Sequence, residues 1–252
     1  MENSGKKEIL SEEIKPYDLG TSKKKQMSRM FNNIAPYYDF LNHFLTFGID
    51  IIWRKRAISR LKGMQVGQLL DIATGTADLA IMAAKRMPEA KIIGVDISPD
   101  MLQIGRQKIA KKNLADIITL ETGDSENLAF PDNTFDAITV GFGVRNFENV
   151  SRGLQEMYRV LKPGGRLVVL EFSRPVIFPF KQLYHFYFRN ILPLIGRITS
   201  KDPKAYTYLY ESVMAFPDGK DFMDLLQKNQ FTQASSKPQT LGICTIYTAL
   251  KA

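Results

Sequence analysis

Between Gln68 and Phe172, short apolar runs of strand length alternate with stretches of helical period, and this alternation restricts the fold more than any other feature. Gln68–Ile72 reads as a short buried strand, followed by a helix over Ala77–Arg86 that ends before Pro88. Lys91–Asp96 is a second strand. Ser98-Pro99 then supplies an N-cap and a proline at the first position of a helix running to Lys112. Ile117–Thr122 and Phe135–Val140 are the third and fourth strands. Ser151–Leu161 carries Leu154, Met157, Tyr158 and Leu161 on one helical face and stops at Lys162-Pro163-Gly164-Gly165. Arg166–Phe172, nearly all apolar, is a fifth strand buried on both faces. Such alternation implies a parallel, doubly wound sheet with its ligand at the carboxyl ends of the strands. Thr232–Leu241 and Ile243–Leu250, broken at Gly242, add a terminal antiparallel pair.

The flanking segments are less regular. Residues 1–24 are polar, without a sustained period, and read as a mobile N-terminal arm. From Lys25 to Leu61 apolar residues recur at helical spacing, and Pro36 is expected to separate two helices. Val176–Ile198 is interrupted by Lys181, His185, Arg189, Arg197, Pro179 and Pro193, so it reads as an apolar surface element or lid rather than a membrane span. Tyr206–Ala215 and Asp221–Lys228 look helical. A net charge of +8 favours anionic partners such as nucleic acid, phosphate-bearing ligands or an anionic membrane face. Part of it is concentrated in Lys23, Lys24, Lys25 and Arg29, and again in Arg54, Lys55, Arg56, Arg60 and Lys62. Cys244, the single cysteine, rules out an internal disulfide and reads as a small core residue. No leader is visible, and Glu2, Glu8, Glu12 and Glu13 oppose a transit peptide, so the expected location is cytoplasmic.

Asp71-Ile72-Ala73-Thr74-Gly75-Thr76-Ala77-Asp78 closes the first strand and opens the first helix. Gly75, with the small Ala73 and Ala77, lets a ligand approach the backbone, and Thr76 can donate a hydroxyl. Asp96 ends the second strand about twenty residues later, where an acid binds a ribose diol. Asp124, just past the third strand, would lie over the base end of the same ligand. Ile97 and Ser125 beside these acids, and Gly141 after the fourth strand, complete the expected cofactor contacts. This set describes either a nicotinamide or an S-adenosylmethionine site. The nicotinamide fingerprint wants G-x-G-x-x-G to make room for a pyrophosphate, and this loop offers one glycine. S-adenosylmethionine carries a sulfonium and no phosphate, so acids close to the loop, Asp71 and Asp78, favour it. An NAD(P)-dependent oxidoreductase is the rival of another class. Tyr158 and Lys162 have the Y-x-x-x-K spacing of short-chain dehydrogenases, but Tyr158 lies on an apolar helix face and packing is the better reading. The expected fold is a class I S-adenosylmethionine-dependent methyltransferase, Rossmann-like, with a mostly parallel doubly wound sheet and an antiparallel C-terminal strand. Residues 25–252 form the methyltransferase domain, with an N-terminal helical cap at 25–62 and a substrate-side insertion or lid at 176–220.

Missing motifs narrow the methyl acceptor. Amino-methylating nucleic-acid enzymes carry an N/D-P-P-Y/F run after the fourth strand, where this chain has Gly141-Phe142-Gly143-Val144-Arg145-Asn146. Pyrimidine C5-methylation needs a cysteine in the site, and Cys244 sits in a late strand. No His, Asp or Glu cluster has metal-ligand spacing, so no metal is expected. A small or lipid-like acceptor remains, and the aromatic-rich Phe178–Phe188 suits a long apolar one or belongs to the core.

Tyr38–Trp53 (Y-D-F-L-N-H-F-L-T-F-G-I-D-I-I-W) and Arg159–Ser173 (R-V-L-K-P-G-G-R-L-V-V-L-E-F-S), with F-G-V-R-N at Phe142–Asn146, resemble signature segments of the C-methyltransferases of ubiquinone and menaquinone biosynthesis. The likeness extends from near Lys25 to the C-terminus. Leu41 stands where methionine is usual, Thr46 where serine is usual, and Ala73 and Ala77 where glycines are common, so the outer segments carry the specificity. The resemblance implies methylation of a ring carbon of a polyprenylated quinol, demethylmenaquinol to menaquinol or, alternatively, the methoxy-polyprenyl-benzoquinol precursor of ubiquinone.

That chemistry needs in-line alignment, removal of a phenolic proton and donors for the developing oxyanion. Arg145 cannot accept a proton in the ordinary sense, so it is expected to stabilise the oxyanion or orient a water, with Asn146 sharing the role. Tyr38 is expected to contact the acceptor or relay a proton, with Asp39 behind it. Glu171 either faces the site or caps a loop; Trp53 reads as packing, His43 as a surface residue, and Asp39 and Asn42 as helix caps. No nucleic-acid partner follows from this reading. Transient contact with the inner membrane face is expected through Lys181, Arg189, Arg197 and Lys23–Lys25, and the chain is compatible with a homodimer.

Overall fold

The computed structural model describes residues 9–17, 20–46, 48–186, 190 and 202–252. At its centre a seven-stranded sheet is built from β1 (Gln68–Ile72), β2 (Lys91–Asp96), β3 (Ile118–Thr122), β4 (Phe135–Gly141), β5 (Leu161–Phe172), β6 (Thr232–Gln239) and β7 (Cys244–Leu250), in the order β3-β2-β1-β4-β5-β7-β6. The first five strands are mutually parallel, and β7 runs antiparallel to both β5 and β6. Strand order reverses between β1 and β4, and at such a switch point the connections leave in opposite directions and open a crevice beyond the strand ends.

Successive strand residues point to opposite faces, so an apolar strand feeds two cores. Leu69, Ile92, Ala137, Val168 and Leu170 pack with Trp53 and Ala57 of α3 (Ile49–Ile58), with α4 (Asp78–Arg86) and with α5 (Pro99–Lys111). Leu70, Ile138, Leu167 and Val169 pack on the other face with Leu154 and Met157 of α6 (Val150–Val160) and Phe222 and Leu226 of a later helix, Lys220–Lys228. Ser98 caps α5 as expected, its hydroxyl accepting the Met101 N–H at 3.3 Å. Cys244 is buried in the first core. Tyr158 packs edge-on against Phe231, 5.3 Å between centroids, away from the crevice.

The structure departs from the sequence expectations in three places. Pro36 does not separate two helices: α2 runs unbroken from Lys23 to Leu45, and the break falls at Gly48, in left-handed conformation at φ 73° just before α3. An interior proline costs about 3 kcal/mol. Tertiary contacts offset it here, since Met27 and Met30 are buried, Ser28 donates to the Ile97 carbonyl at 3.1 Å and Asn32 accepts from Ser98 at 2.6 Å. β5 starts five residues before Arg166, directly where α6 ends, and Leu161 pairs with Phe135 ahead of a register shift. The expected mobile arm is in part packed. Leu10–Glu13 forms a short helix, α1, whose Glu12 accepts the Val150 N–H at 2.7 Å. Lys23 is fully buried, with Nζ donating to the Ser11 carbonyl at 2.5 Å and the Arg145 carbonyl at 3.3 Å. Among the described residues the remaining α-helices are α7 (Phe180–Phe186), α8 (Pro203–Ala215) and α9 (Lys220–Lys228). Among the described residues no helix is long and apolar enough to cross a membrane.

Candidate active site

The loop after β1 has Ala73, Gly75 and Ala77 all at positive φ, 52°, 56° and 66°. Only glycine adopts that region without strain. The two alanines, standing where glycine would be easier, store strain in the turn that lines the crevice. The Gly75 N–H donates to the Asp96 carboxylate at 2.8 Å, and the other Asp96 oxygen accepts the Ser98 N–H at 2.8 Å. The acid thus ties together the ends of β1 and β2. Burial raises its pKa, and these hydrogen bonds oppose the rise.

Gly75, Asp96, Ile97, Asp124, Ser125 and Gly141 come together in one cleft of about 660 Å³, roofed by Lys24, Met27, Phe31 and Tyr38 of α2. Its charged lining is Asp96, Asp124, Glu126 and Glu148 against Lys24 alone. Such a set repels a pyrophosphate and suits a sulfonium with ribose hydroxyls, so the geometry favours S-adenosylmethionine over a nicotinamide dinucleotide. Lys24 pairs with Asp124 at 2.6 Å across the opening.

Two expected cofactor residues lie outside this cleft. Asp71 is buried behind the loop, where Thr74 and Thr139 each donate a hydroxyl at 2.6 Å. Thr76 donates to Asp39 at 2.5 Å, and Lys108 bridges Asp39, at 2.8 Å, and Asp78. The acids expected beside the sulfonium are therefore spent on holding the turn, and Asp96, Asp124, Glu126 and Glu148 occupy the lining instead.

Burial pushes the Asp71 carboxyl from 3.8 up to about 6, the two threonine hydroxyls opposing the shift. Between those values the folded protein holds a proton that the unfolded chain has lost, so this group's contribution to stability grows as pH falls from about 6 toward 4. Asp71→Asn should therefore lose about 2–3 kcal/mol relative to wild type between neutral pH and pH 4 in paired urea melts. A pH-independent difference would remove the assignment.

A second cleft of about 740 Å³ adjoins the first. The two share Phe31, Tyr38, Phe142 and Asn146. Its walls are largely apolar and aromatic, including Met30, Phe172 and, from α8, Tyr206 and Tyr208. Arg145 opens onto it, only 6% exposed, with Nη1 donating to Glu171 at 2.7 Å and to the Phe142 carbonyl at 2.6 Å. Its Nε is buried without a hydrogen-bond partner. Glu171 is completely buried and also accepts the Phe172 N–H, so it aims Arg145 rather than facing solvent. Asn146 accepts from Tyr208 at 3.0 Å. Burial raises the Tyr208 hydroxyl well above its usual range, keeping it a donor.

Sequence reasoning missed Asp50, Arg54 and Thr46, which also line the second cleft. Arg54, one member of the basic run that extends to Lys62, is buried and paired with Asp50. Lys23 and Lys24 are likewise committed to internal partners, so the Lys23–Lys25 cluster leaves only Lys25 exposed. The one available signal was the position of Thr46 and Asp50 inside the Tyr38–Trp53 segment. Among the described residues no group of acids, histidines or cysteines could hold a metal.

Comparison with known proteins agrees with this geometry. The model of the ubiE/COQ5 methyltransferase family matches residues 19–251. The chain is 47% identical over 240 residues to a demethylmenaquinone methyltransferase of Bacteroides fragilis, covering 95% of this chain and 98% of that one. It is 46% identical over 232 residues to a ubiquinone/menaquinone biosynthesis C-methyltransferase of Geotalea daltonii, covering 92% and 98%. Among solved structures, an S-adenosylmethionine-dependent methyltransferase of Thermotoga maritima superposes with a TM-score of 0.61 at 20% identity, covering 90% of this chain and all of that one. A Haemonchus contortus phosphoethanolamine N-methyltransferase in complex with S-adenosylmethionine gives 0.58 at 15% identity, covering 79% and 52%.

Proposed function

Because the chain belongs to the ubiE/COQ5 methyltransferase family and has the class I fold of enzymes dependent on S-adenosylmethionine, we propose that it methylates a ring carbon of a polyprenylated quinol, converting demethylmenaquinol to menaquinol. The observation that carries this reading is the junction of an acidic cleft with an aromatic one at Phe31, Tyr38, Phe142 and Asn146. The methoxy-benzoquinol precursor of ubiquinone is the alternative acceptor, supported by the names of the Geotalea relatives.

In this assignment Gly75, Asp96, Ile97, Asp124, Ser125 and Gly141 hold S-adenosylmethionine, which when bound supplies a methyl on a positive sulfur. Asp71 and Thr76 support the turn from behind. Arg145, aimed by Glu171, stabilises the oxygen next to the reacting carbon as its phenolic proton leaves, and Asn146 shares that contact. The ring carbon's electron pair would take up the methyl that the cofactor supplies, the cofactor departing as a neutral thioether. The ring hydrogen then leaves as a proton and restores aromaticity. Tyr38, at the shared wall, aligns the two ligands. α2 in the cap at 25–62, and α8 in the insertion at 176–220, wall the site around them.

The acceptor is dissolved in a bilayer, and the reading includes peripheral contact with the membrane surface. Val176, Ile177, Phe178, Leu183 and Phe186 are each more than half exposed, with the exposed Lys181 among them. Tyr184 of the same helix is buried in one cluster with Tyr206 and Tyr208, so the greasy face backs the wall of the aromatic cleft. Arg189 and Arg197 lie outside the described residues.

Purified protein with S-adenosylmethionine and a reduced short-prenyl demethylnaphthoquinol should give the ring-methylated product, faster than with the methoxy-benzoquinol. Product methylated on oxygen, or none under reducing conditions, would refute the reading. With a long-chain acceptor in vesicles, Phe178→Ser with Phe186→Ser should slow the reaction about tenfold while the soluble rate holds. Equal loss on both acceptors would leave the aromatic stretch a structural element only.

A further inference from the structure

β1 and β4 are neighbours in the sheet and run parallel, with Ile72 opposite Val140. The loops that follow them therefore leave the strand ends side by side. Ala73 opens the first loop, Gly143 lies in the second just past β4, and both line the cofactor cleft. The two backbones pass so closely that a Cβ on Gly143 would stand 2.5 Å from the Ala73 Cβ and 3.3 Å from a methyl of Val140. Carbon atoms in contact sit about 3.5–4.0 Å apart, so the first approach leaves no room for a side chain. Gly143 has φ −107°, which any residue adopts, so close approach and not backbone freedom requires the glycine.

Neither loop yields cheaply. An alanine methyl has no rotamer to change, and the turn that carries it is held on both sides. The Thr74 N–H donates to the Val95 carbonyl at 3.0 Å, and the Gly75 N–H to Asp96 at 2.8 Å. In the other loop the Gly143 carbonyl accepts the Asn146 N–H at 3.0 Å. The Phe142 carbonyl accepts from Arg145 Nη1 at 2.6 Å and from Asn146 Nδ2 at 3.3 Å. A displacement at Gly143 is therefore passed on to Arg145 and Asn146, while Ala73 moves with the loop assigned to the cofactor.

We propose that Gly143 is a positioning residue: its missing side chain lets the turn bearing Arg145 and Asn146 close against the Ala73 methyl, and this contact sets the distance between methyl donor and acceptor ring. Gly143 touches neither reacting atom. Transfer needs those atoms about 3–3.5 Å apart, and a misplacement of about 1 Å costs on the order of 100-fold in rate. Moving a Cβ from 2.5 Å out to carbon contact distance requires a shift of about that size. The inference rests on the quinol-methylation reading above and adds the contact that spaces its two ligands.

The test is a double-mutant cycle on the full chain, assayed with S-adenosylmethionine and the short-prenyl naphthoquinol under reducing conditions. Gly143→Ala should lower kcat about 30-fold or more, while the KM of each ligand and the calorimetric affinity for S-adenosylmethionine change about threefold or less. Ala73→Gly removes the opposing methyl, and the remaining Val140 contact needs only a small adjustment. In that background the same Gly143→Ala change should therefore cost about threefold or less in kcat. A purely structural glycine would show neither the split between kcat and KM nor the rescue. Wild-type kcat in Gly143→Ala, affinity lost in step with kcat, or no rescue by Ala73→Gly would each overturn the proposal. If Gly143→Ala alone does not fold, the double variant decides: kcat within about threefold of Ala73→Gly supports the contact, and a lower value or failure to fold overturns it. Wild-type protein inactive on both the naphthoquinol and the methoxy-benzoquinol would refute the quinol reading itself, and this inference with it.

Discussion

Replacing Arg145 with alanine lowers the turnover number by a factor on the order of 100 or more while leaving the affinity for S-adenosylmethionine nearly unchanged. The guanidinium is aimed into the aromatic cleft by Glu171, at 2.7 Å, and keeps a buried Nε without a partner in the protein. The same substitution strands a fully buried carboxylate, so it should also cost about 3–5 kcal/mol of stability. The two losses are separable. A double variant, Arg145→Met with Glu171→Gln, removes both charges and should recover most of the stability in urea melts, yet none of the turnover. Recovery of turnover with stability would mean that Arg145 matters only for folding. A raised cofactor constant at unchanged turnover would assign it to the other ligand.

Asp96→Ala should weaken S-adenosylmethionine binding by about 1.5–3 kcal/mol, roughly 10- to 100-fold, the scale of a hydrogen bond to a charged group. One of its oxygens accepts from Gly75 and the other from Ser98, so the carboxylate also holds the strained β1 turn against β2. Its loss therefore acts twice, by removing an acceptor for a ribose hydroxyl and by releasing the turn. Calorimetric titration measures the change directly, and turnover at saturating cofactor should fall much less than affinity. Unchanged affinity would exclude Asp96 from the cofactor site. Asp71→Ala offers a contrast: Asp71 lies outside the cleft, so its effect should fall mainly on stability.

The loop residues differ in how readily their roles could be inferred from the sequence. Gly75, Asp96 and Asp124 are legible as candidate site residues because they stand at strand ends, and strand ends are marked by the apolar runs preceding them. Asp71 and Thr76 carry the same sequence signal, yet they point behind the turn, toward Thr139 and Asp39. Arg145 and Asn146 stand out as candidates only through the family resemblance and the demands of the chemistry, not through periodicity. Arg54 and Lys23 resemble any other member of a basic run, because sequence composition does not distinguish a solvated cation from a buried, paired one. Pro36 carries a strong local stop signal that packing of α2 over the crevice overrides.

The sequence by itself determined the parallel strands, the helices between them, the C-terminal antiparallel pair and a ligand site at the carboxyl ends of the strands. Those features follow from side-chain directions that repeat every two residues in a strand and every 3.6 in a helix. A short window of apolar residues is enough to specify which face of an element is buried. Only the tertiary structure decided which acids line the cofactor cleft, that α2 roofs it, and that Asp50, Arg54 and Thr46 share the aromatic cleft with Arg145. The surroundings of a polar side chain are set by elements distant in the chain: Glu171 reaches Arg145 across 26 residues, and Thr76 reaches Asp39 across 37. No local period records such a meeting, because it exists only once the helices have closed over the strand ends.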